Sequence, residues 1–207
     1  MAFNIDNFVS NLDRYGTLQT NKFDVIVTVP PLLVSQFALT PVEERNNAPL
    51  IGGLNETASI LRFRAERINL PGVVIDTDNN RRYGVGPREK YGTNVSFSDF
   101  STTFLEDGNN SIYKLFFYWT NLIFDYGAVY SPSGGIGSPP TYLSGYKSDY
   151  QTFIEVRIFD NSGRQQNRVL FREAYPISVS DVSLGWSDNN NLFRTSVSFA
   201  YTDWTIL

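Results

Sequence analysis

The stretch YPISVSDVSLGWSDNNNLFRTSVSFAYTDW, residues 175–204, decides the fold because it holds two alternating segments joined by a polar turn. Residues in the second segment alternate with the two-residue period of a β-strand, which separates an apolar face from a face of small polar side chains. The apolar face is predicted to carry Phe193, Thr195, Val197, Phe199 and Tyr201, and the polar face Arg194, Ser196, Ser198, Ala200 and Thr202.

The first segment has the same character with a change of phase. Val182, Leu184 and Trp186 are expected to lie on the core face, opposite Asp181, Ser183 and Gly185. Ile177 and Val179 have the opposite phase, so we expect a β-bulge near Ser180.

A sheet face of Ser, Thr, Ala and Gly allows two interpretations. Such a face suits the wall of a water-filled bore, which must be wetted yet bind nothing. It is also compatible with an ordinary solvated face of an antiparallel sheet. The residues alone leave both interpretations open.

The composition points to a globular chain with an unusual surface. Its 207 residues fit one domain, and 42% hydrophobic and 15% aromatic residues supply a core. Charged residues make up 18%, against a usual quarter, so Ser, Thr, Asn and Gly must cover much of the surface. The chain is either an ordinary β protein or one whose surface is covered by other subunits.

Several functional classes are excluded or made improbable by what the sequence lacks. The net charge of −4 argues against sequence-independent binding to DNA. The absence of cysteine excludes disulfides and thiol nucleophiles, and the absence of histidine removes the commonest general base and metal ligand. No apolar run reaches membrane-spanning length and MAFNIDNFVSN does not resemble a signal peptide, so we expect a protein made or assembled in the cytoplasm.

The rest of the chain predicts mainly antiparallel β structure, a sandwich or partial barrel with one packed helix. The helix follows from apolar residues at i, i+3, i+4, i+7 and i+11 spacing, starting at Ile112; Asn109, Asn110 or Ser111 is expected to cap it and Gly127 to end it. The apolar phase changes at Phe100, which predicts a bulge or bend. Predicted strands cover NKFDVIVTV, ASILRFRAERIN, TNVSFSDFSTTFLED and the hairpin of QTFIEVRIFD with NRVLFREAYP; loops are expected at about 32–57 and 126–150, and an arm or short helix at 3–14.

Known motifs of catalysis and metal binding are matched poorly. Asp76, Asp78 and Asn80 resemble the start of a calcium loop, but Arg81 stands where glycine is required and Pro87 where glutamate is required. GVGPRE and SGGIGS lack the residues that complete a dinucleotide or phosphate loop. Three carboxylates, Asp99, Glu106 and Glu155, remain a weak alternative as a glycosidase pair. Trp119 and Trp186 are interpreted as core residues, and Tyr126, Tyr130, Tyr142, Tyr146 and Tyr150 as a sugar-stacking surface or a subunit contact.

The order of four pieces gives a family resemblance: NKFDVIVTV, LRFRAERINLPG, YGTNVSFSDFSTTFLEDGNNSIYKLFFYW and VLFREAYPISVSDVSLGWSDNNNLFRTSVSFAYTDW. An early strand, a Leu-Pro-Gly corner, a strand leading into a Trp-containing helix, and a closing hairpin follow one another. In this the chain resembles the tail tube proteins of contractile-tailed bacteriophages. It also resembles the related baseplate proteins that initiate the tube, but the shortness of the chain favours the main tube subunit.

The resemblance implies a structural virion protein without cofactor, metal or catalysis. One tube domain would span residues 1–207, with loop insertions at about 32–57 and 126–150. Subunits would form hexameric rings around an inner β-barrel and stack into a conduit in the virion tail, assembled in the host cytoplasm. The expected partners are other copies, sheath, baseplate and tape-measure proteins, and passing DNA that is not specifically bound, with no insertion into a membrane.

The resemblance also assigns roles to particular residues, with two alternatives left open. A carbohydrate-binding β-sandwich is the alternative to the tube subunit, and a solvated loop is the alternative for the basic cluster. Residues expected to face the lumen are Asp181, Ser183, Arg194, Ser196, Ser198 and Thr202; those expected to contact a neighbouring ring or the sheath are Arg81, Arg82, Arg88 and Lys90.

Overall fold

The chain folds into antiparallel sheets that pack around one long helix. The computed structural model describes residues 9–10, 18–34, 61–62, 64–81, 84, 86–126, 142–186 and 191–207. The strands are β1 Phe23–Val27, β2 Ala65–Asn69, β3 Val73–Asn80, β4 Glu89–Phe97, β5 Phe100–Leu105, β6 Thr152–Phe159, β7 Gln165–Val179, β8 Arg194–Ala200 and β9 Asp203–Ile206, and the helices are α1 Ser111–Ile123 and α2 Lys147–Tyr150.

Two sheets share the long strand β7. The strand order is β1-β6-β7-β8-β5-β2, and β9 also pairs with β7. The first half of β7 pairs with β6 and β9, and its second half pairs with β8. We call β1, β6, β9 and the first half of β7 the first sheet. The second sheet consists of the second half of β7 with β8, β5 and β2.

The change of sheet occurs at Glu173. Its backbone φ is 54°, in the left-handed region, and the register between β6 and β7 shifts beside it. A bulge of this kind bends a strand and lets it continue in another sheet. β8 and β9 bend at the matching place, since Tyr201 and Thr202 separate them.

The core lies between the two sheets and α1. Phe100 of β5 stacks on Phe171 of β7 with ring centroids 4.2 Å apart, and on Phe199 of β8 at 5.1 Å. Trp119 of α1 is fully buried, and its indole N–H donates to the Tyr150 carbonyl at 2.9 Å. The prediction that Trp119 is a core residue is therefore confirmed.

Helix α1 lies where its periodicity predicts it, but its ends differ from the prediction. Asn110 makes no side-chain capping bond. The Asp107 carboxylate instead accepts from the backbone N–H of Ser111 at 2.7 Å, and Glu106 accepts from that of Ile112 at 2.8 Å. The helix ends at Ile123, and Gly127 lies outside the described residues.

Two predicted strands are divided in the structure. Residues 61, 62 and 64 are helical, so among the described residues of ASILRFRAERIN the strand is Ala65–Asn69. The phase change at Phe100 is a real break between β4, which pairs with β3, and β5, which belongs to the second sheet. The hairpin of β6 and β7 is confirmed, with Asp160 accepting three hydrogen bonds from Ser162 and Arg164 at its turn.

The first segment of the opening stretch is shorter than its alternation suggests. The ladder between β7 and β8 ends at Val179 and Val197, and its register shift lies at Pro176 and Ser178. Beyond Ser180 the described residues 181–186 leave the sheet and pair with no strand in the described part of the chain. Leu184 is 80% exposed and Trp186 106% exposed; the expectation that they lie in the core is wrong.

Parts of the expected loops and arm can be placed. Residues 31–34 form a helical turn, and residues 142–150 include α2 and a bridge between Ser144 and Phe124. Residues 35–60, 127–141 and most of the arm at 3–14 lie outside the described residues. None of the described helices has the length and hydropathy needed to cross a membrane.

Candidate functional site

The outer face of the second sheet is the candidate site. On β8, Thr195, Val197 and Phe199 are fully buried, while Ser196 and Ser198 are partly exposed. β5 alternates in the same way, with Phe100 and Phe104 in the core. The predicted separation of faces along the last long strand is thus confirmed. Partners in an antiparallel register point to the same side, so the outward residues of neighbouring strands form rows.

One row crosses all four strands with uncharged polar side chains. Asn69 pairs with Ser101, Ser101 with Ser198, and Ser198 with Ser178. The Asn69 side-chain amide donates to the Ser101 hydroxyl at 3.2 Å. We call these four residues the hydroxyl row.

A second row lies next to it, nearer the start of β8. Arg67 pairs with Thr103 and Thr103 with Ser196. The Thr103 and Ser196 hydroxyls are 2.9 Å apart, and the Ser196 backbone N–H donates to the Ser180 hydroxyl at 3.0 Å. The Thr103 and Ser196 hydroxyls are therefore hydrogen-bonded to each other within the face.

An ion pair marks the end of the face. Arg194 donates to both carboxylate oxygens of Glu66, at 2.6 and 3.2 Å, across the β5 residue Leu105. The hydrogen bond from Arg194 lowers the pKa of Glu66, and the same bond raises the pKa of Arg194. The two charges compensate each other.

The second sheet has an open edge on each side. Within the described residues, β2 pairs only with β5, and the second half of β7 pairs only with β8. Each strand is antiparallel to its neighbour, so with four strands the two edges run in opposite directions. Two copies placed side by side would therefore meet in an antiparallel orientation.

The residues expected to face the lumen separate into three groups. Arg194, Ser196 and Ser198 lie on the outer face. Asp181 and Ser183 follow the end of β7 and are exposed, outside any strand. Thr202 lies at the bend after β8, where its hydroxyl donates to Glu173 at 2.6 Å and accepts from Lys147 at 2.7 Å.

Five of the seven residues in the two rows were not predicted from the sequence. Asn69, Arg67, Ser101, Thr103 and Ser178 belong to the two rows but come from strands other than the last. The alternation of FSTTFL was the available signal for Ser101 and Thr103. Only the register between strands places them beside Ser196 and Ser198.

The basic cluster lies at the distal end of the β3–β4 hairpin. Arg81 follows β3, and Arg88 and Lys90 lie at the start of β4; all three are exposed. Arg82 lies outside the described residues. A contact role for the cluster stays a prediction.

Two of the three carboxylates of the alternative hydrolase interpretation make structural contacts, and the third, Asp99, is exposed. Glu155 of β6 is bound by Arg157 and, at 2.7 Å, by Arg168; burial opposes its ionisation, but these hydrogen bonds outweigh burial and lower its pKa. Glu106 caps α1, and burial raises its pKa. No group of three or more potential metal ligands occurs among the described residues.

The predicted tyrosine surface is only partly present. Tyr126, Tyr142 and Tyr146 are exposed. Tyr150 packs edge-on against Tyr175 at 5.2 Å, and Tyr130 lies outside the described residues.

Comparisons with known proteins agree with this architecture. Residues 18–207 match the family described as phage tail tube protein. No curated protein matches the chain in sequence. Similar solved structures include a chain of the anti-feeding prophage baseplate, with a TM-score of 0.56, 10% identity and coverage of 92% of this chain and 95% of that one.

Two further structures share the fold. One belongs to the sheath-tube complex of an extracellular contractile injection system, with a TM-score of 0.54, 10% identity and coverage of 100% and 99%. The other belongs to the tube-terminating cap of the anti-feeding prophage, with a TM-score of 0.54, 13% identity and coverage of 92% and 91%. The family match extends over nearly the whole chain, and the chain belongs to the phage tail tube protein family.

Proposed function

We propose that the chain is a structural, non-catalytic subunit of a phage tail tube, which forms hexameric rings that stack into a conduit for the genome. The observation that carries the proposal is the second sheet. It combines a buried apolar face, an outer face of small polar side chains and two open edges that run in opposite directions.

Ring closure follows from the two edges. An open strand edge leaves backbone N–H and C=O groups unpaired and invites pairing with another chain. The edge of β2 in one copy fits the edge of the second half of β7 in the next copy, because the four strands alternate in direction. Repeating this head-to-tail contact with a rotation that closes gives a ring lined by one barrel.

The outer face suits passage of DNA through such a barrel. Cations that neutralise phosphates are what hold DNA on a protein. The hydroxyl row has no charge, and Arg194 is compensated by Glu66. Arg67 is the one remaining cation of the rows in each copy. The wall therefore has few cations that could bind the phosphates of DNA.

The proposed partners follow the same assembly. Other copies contact the sheet edges, and the sheath, baseplate and tape-measure proteins contact the remaining surfaces in the virion tail after assembly in the host cytoplasm. A tube-initiating ring of the baseplate is the second candidate, because the same fold occurs in a baseplate structure. An initiator would form single rings, whereas a main tube protein would form rods.

Electron microscopy with amide hydrogen exchange tests the proposal. The purified protein is expected to form rings or hollow rods, and assembly should slow exchange at Ala65–Asn69 and residues 175–179. Amides between β6 and β7 provide the control, because they are already paired in one copy. A monodisperse monomer at high concentration, or rings without new protection at the two edges, would contradict the proposal.

A further inference from the structure

The β3–β4 hairpin joins the rest of the domain at one end, its root. In the described part of the chain, β3 and β4 pair with each other and form a sheet of their own. Two short irregular links, residues 70–72 and 98–99, connect the root to β2 and β5. β3 has 8 residues, so the hairpin extends about 25 Å from this root. A rotation of about 20° at the root would therefore move the far end by about 9 Å.

The link at residues 70–72 leaves room for bending. A Cβ atom built on Gly72 would meet no heavy atom within 4 Å apart from those of its chain neighbours. Glycine also has the widest choice of backbone conformations, so this link offers little resistance to rotation. The direction of the hairpin therefore depends on the other link.

Tyr201 contacts the link at residues 98–99 and the root beside it. Its hydroxyl donates to the Ser98 backbone carbonyl at 2.9 Å, and its ring centroid lies 6.2 Å from that of Phe97, the last residue of β4. Phe97 pairs with Val73, so it belongs to the first pair of the hairpin. Burial and the Asp99 carboxylate raise the pKa of Tyr201, so the hydroxyl stays protonated and can donate.

Tyr201 is itself fixed to the domain. Its ring packs edge-on against Phe171 of β7 at 5.1 Å and is tilted against Phe100 of β5 at 5.8 Å. The backbone beside it is held at the bend between β8 and β9, where the Thr202 N–H donates to the Arg172 carbonyl at 3.1 Å. A side chain anchored in this way can transmit the orientation of the domain to the root of the hairpin.

We propose that the β3–β4 hairpin is a hinged arm and that Tyr201 is the positioning residue that holds it in one direction. Residues 70–72 and 98–99 form the hinge, since hinges consist of a few residues at the ends of elements. The hydroxyl of Tyr201 fixes the link, and its ring fixes the root. Because the direction is already set in an isolated copy, less conformational entropy is lost when another surface binds the hairpin.

Double electron–electron resonance on dilute, unassembled protein tests the hinge. The chain has no cysteine, so spin labels can be placed at Asn79→Cys, near the far end of the hairpin, and at Asn167→Cys, an exposed site of β7. With no other change, the two labels should give a single narrow distance distribution. Tyr201→Phe removes the hydrogen bond to the Ser98 carbonyl but keeps the ring, so the distribution should become at least 1.5-fold wider.

A second variant removes the ring contact from the side of the hairpin. Phe97 is 39% exposed, so Phe97→Ser should still fold, and the distribution should become at least twofold wider. Tyr113→Phe is the matched control, because Tyr113 is also a tyrosine packed against a phenylalanine, Phe193, but lies on α1. This control should leave the width unchanged.

A second pair of labels separates positioning from stability. Lys114→Cys on α1 and Asn167→Cys on β7 both lie outside the hairpin, so their distance distribution should keep its width in every variant. Broadening for this pair as well would mean that Tyr201 only stabilises the core, which would overturn the proposal. Equal widths with and without the Tyr201→Phe and Phe97→Ser changes would overturn it too. Ring formation takes no part in these measurements, so either result leaves the proposed function intact.

Discussion

Thr102 has a buried hydroxyl that finds no hydrogen-bond partner among the described residues. The side chain lies on the core face of β5 and is 1% exposed. An unpaired buried hydroxyl costs about 1–3 kcal/mol. Thr102→Val keeps the shape and removes that group, so it should raise the free energy of unfolding by about 1 kcal/mol.

The neighbouring Thr103 is the control for this prediction. Its hydroxyl lies 2.9 Å from that of Ser196 on the outer face, so Thr103→Val should give no gain. Denaturant unfolding of dilute, unassembled protein measures both variants. A loss of stability in Thr102→Val would show that the hydroxyl is satisfied in solution.

Glu155, which is buried, and Glu106, which is partly buried, should respond to pH with opposite signs. Hydrogen bonds from Arg157 and Arg168 outweigh burial and lower the pKa of Glu155 from its usual 4.5, so its stabilisation is complete above pH 4.5 and is lost as pH falls below it. Burial raises the pKa of Glu106, so its contribution is complete below pH 4.5 and declines as pH rises above it.

The variants Glu155→Gln and Glu106→Gln test these signs. Glu155→Gln should destabilise the protein more at pH 7 than at pH 3.5, because below the ordinary pKa of 4.5 the unfolded chain takes up a proton on this carboxylate that the folded state resists. Glu106→Gln should destabilise it less at pH 7 than at pH 4. Unfolding free energies at each pH measure both effects, and identical trends for the two variants would contradict the assignment.

Among the elements, α1 depends on a cap that precedes the expected one. Asp107 accepts from the Ser111 backbone N–H at 2.7 Å and from its hydroxyl at 2.9 Å. Asp107→Ala should lower the free energy of unfolding by about 1 kcal/mol, as for other N-caps. Asn109→Ala is the control and should change it by less than about 0.5 kcal/mol, as at other exposed sites; equal effects in denaturant unfolding would refute the cap.

Strand β7 changes sheets through the backbone of Glu173. A β-branched residue is strained at a positive φ, and glycine is not. Glu173→Val and Glu173→Gly both lose the exposed bonds to Lys147 and Thr202. The melting temperature of the Val variant should therefore lie about 4 °C below that of the Gly variant. Equal melting temperatures would mean that the bend does not need this conformation.

The helices and strands also show where sequence patterns are sufficient to predict the structure. The periods of α1, β6 and β8 depend on residues close together in the chain, and those elements form as predicted. The alternation of Leu184 and Trp186 equally predicts a core strand, yet the ladder ends at Val179 although the neighbouring strand β8 continues to Arg194. Three of the four residues of the hydroxyl row were not predicted, because membership of the row depends on register between distant strands.

At the scale of the whole molecule, the second sheet both stabilises the domain and presents surfaces for other copies in the proposed tube. Its inner face stabilises the domain through Phe100, Phe199 and Trp119. Its outer face, edges and ends are directed away from the core of the same copy. Low surface charge is therefore consistent with a protein whose edges and ends are covered by other copies, as the proposed tube requires.

The charge of the outer face gives the last prediction, which concerns DNA passage. Ser198→Lys places one added cation from each copy in the hydroxyl row, and a ring of such cations would bind phosphates. Folding and ring formation should persist, because Ser198 is only partly buried. Delivery of DNA by assembled particles should fall at least tenfold, and raising the salt concentration should partly restore it.

Matched variants separate position from charge in this experiment. Asn167→Lys adds the same charge on an exposed site of β7 outside the second sheet, and Ser198→Asn changes the same site without charge. Both should deliver DNA at the wild-type level. If Ser198→Lys delivered DNA as well as Asn167→Lys, the outer face would not be the wall that DNA passes, and the bore would have to be formed by another surface of the ring.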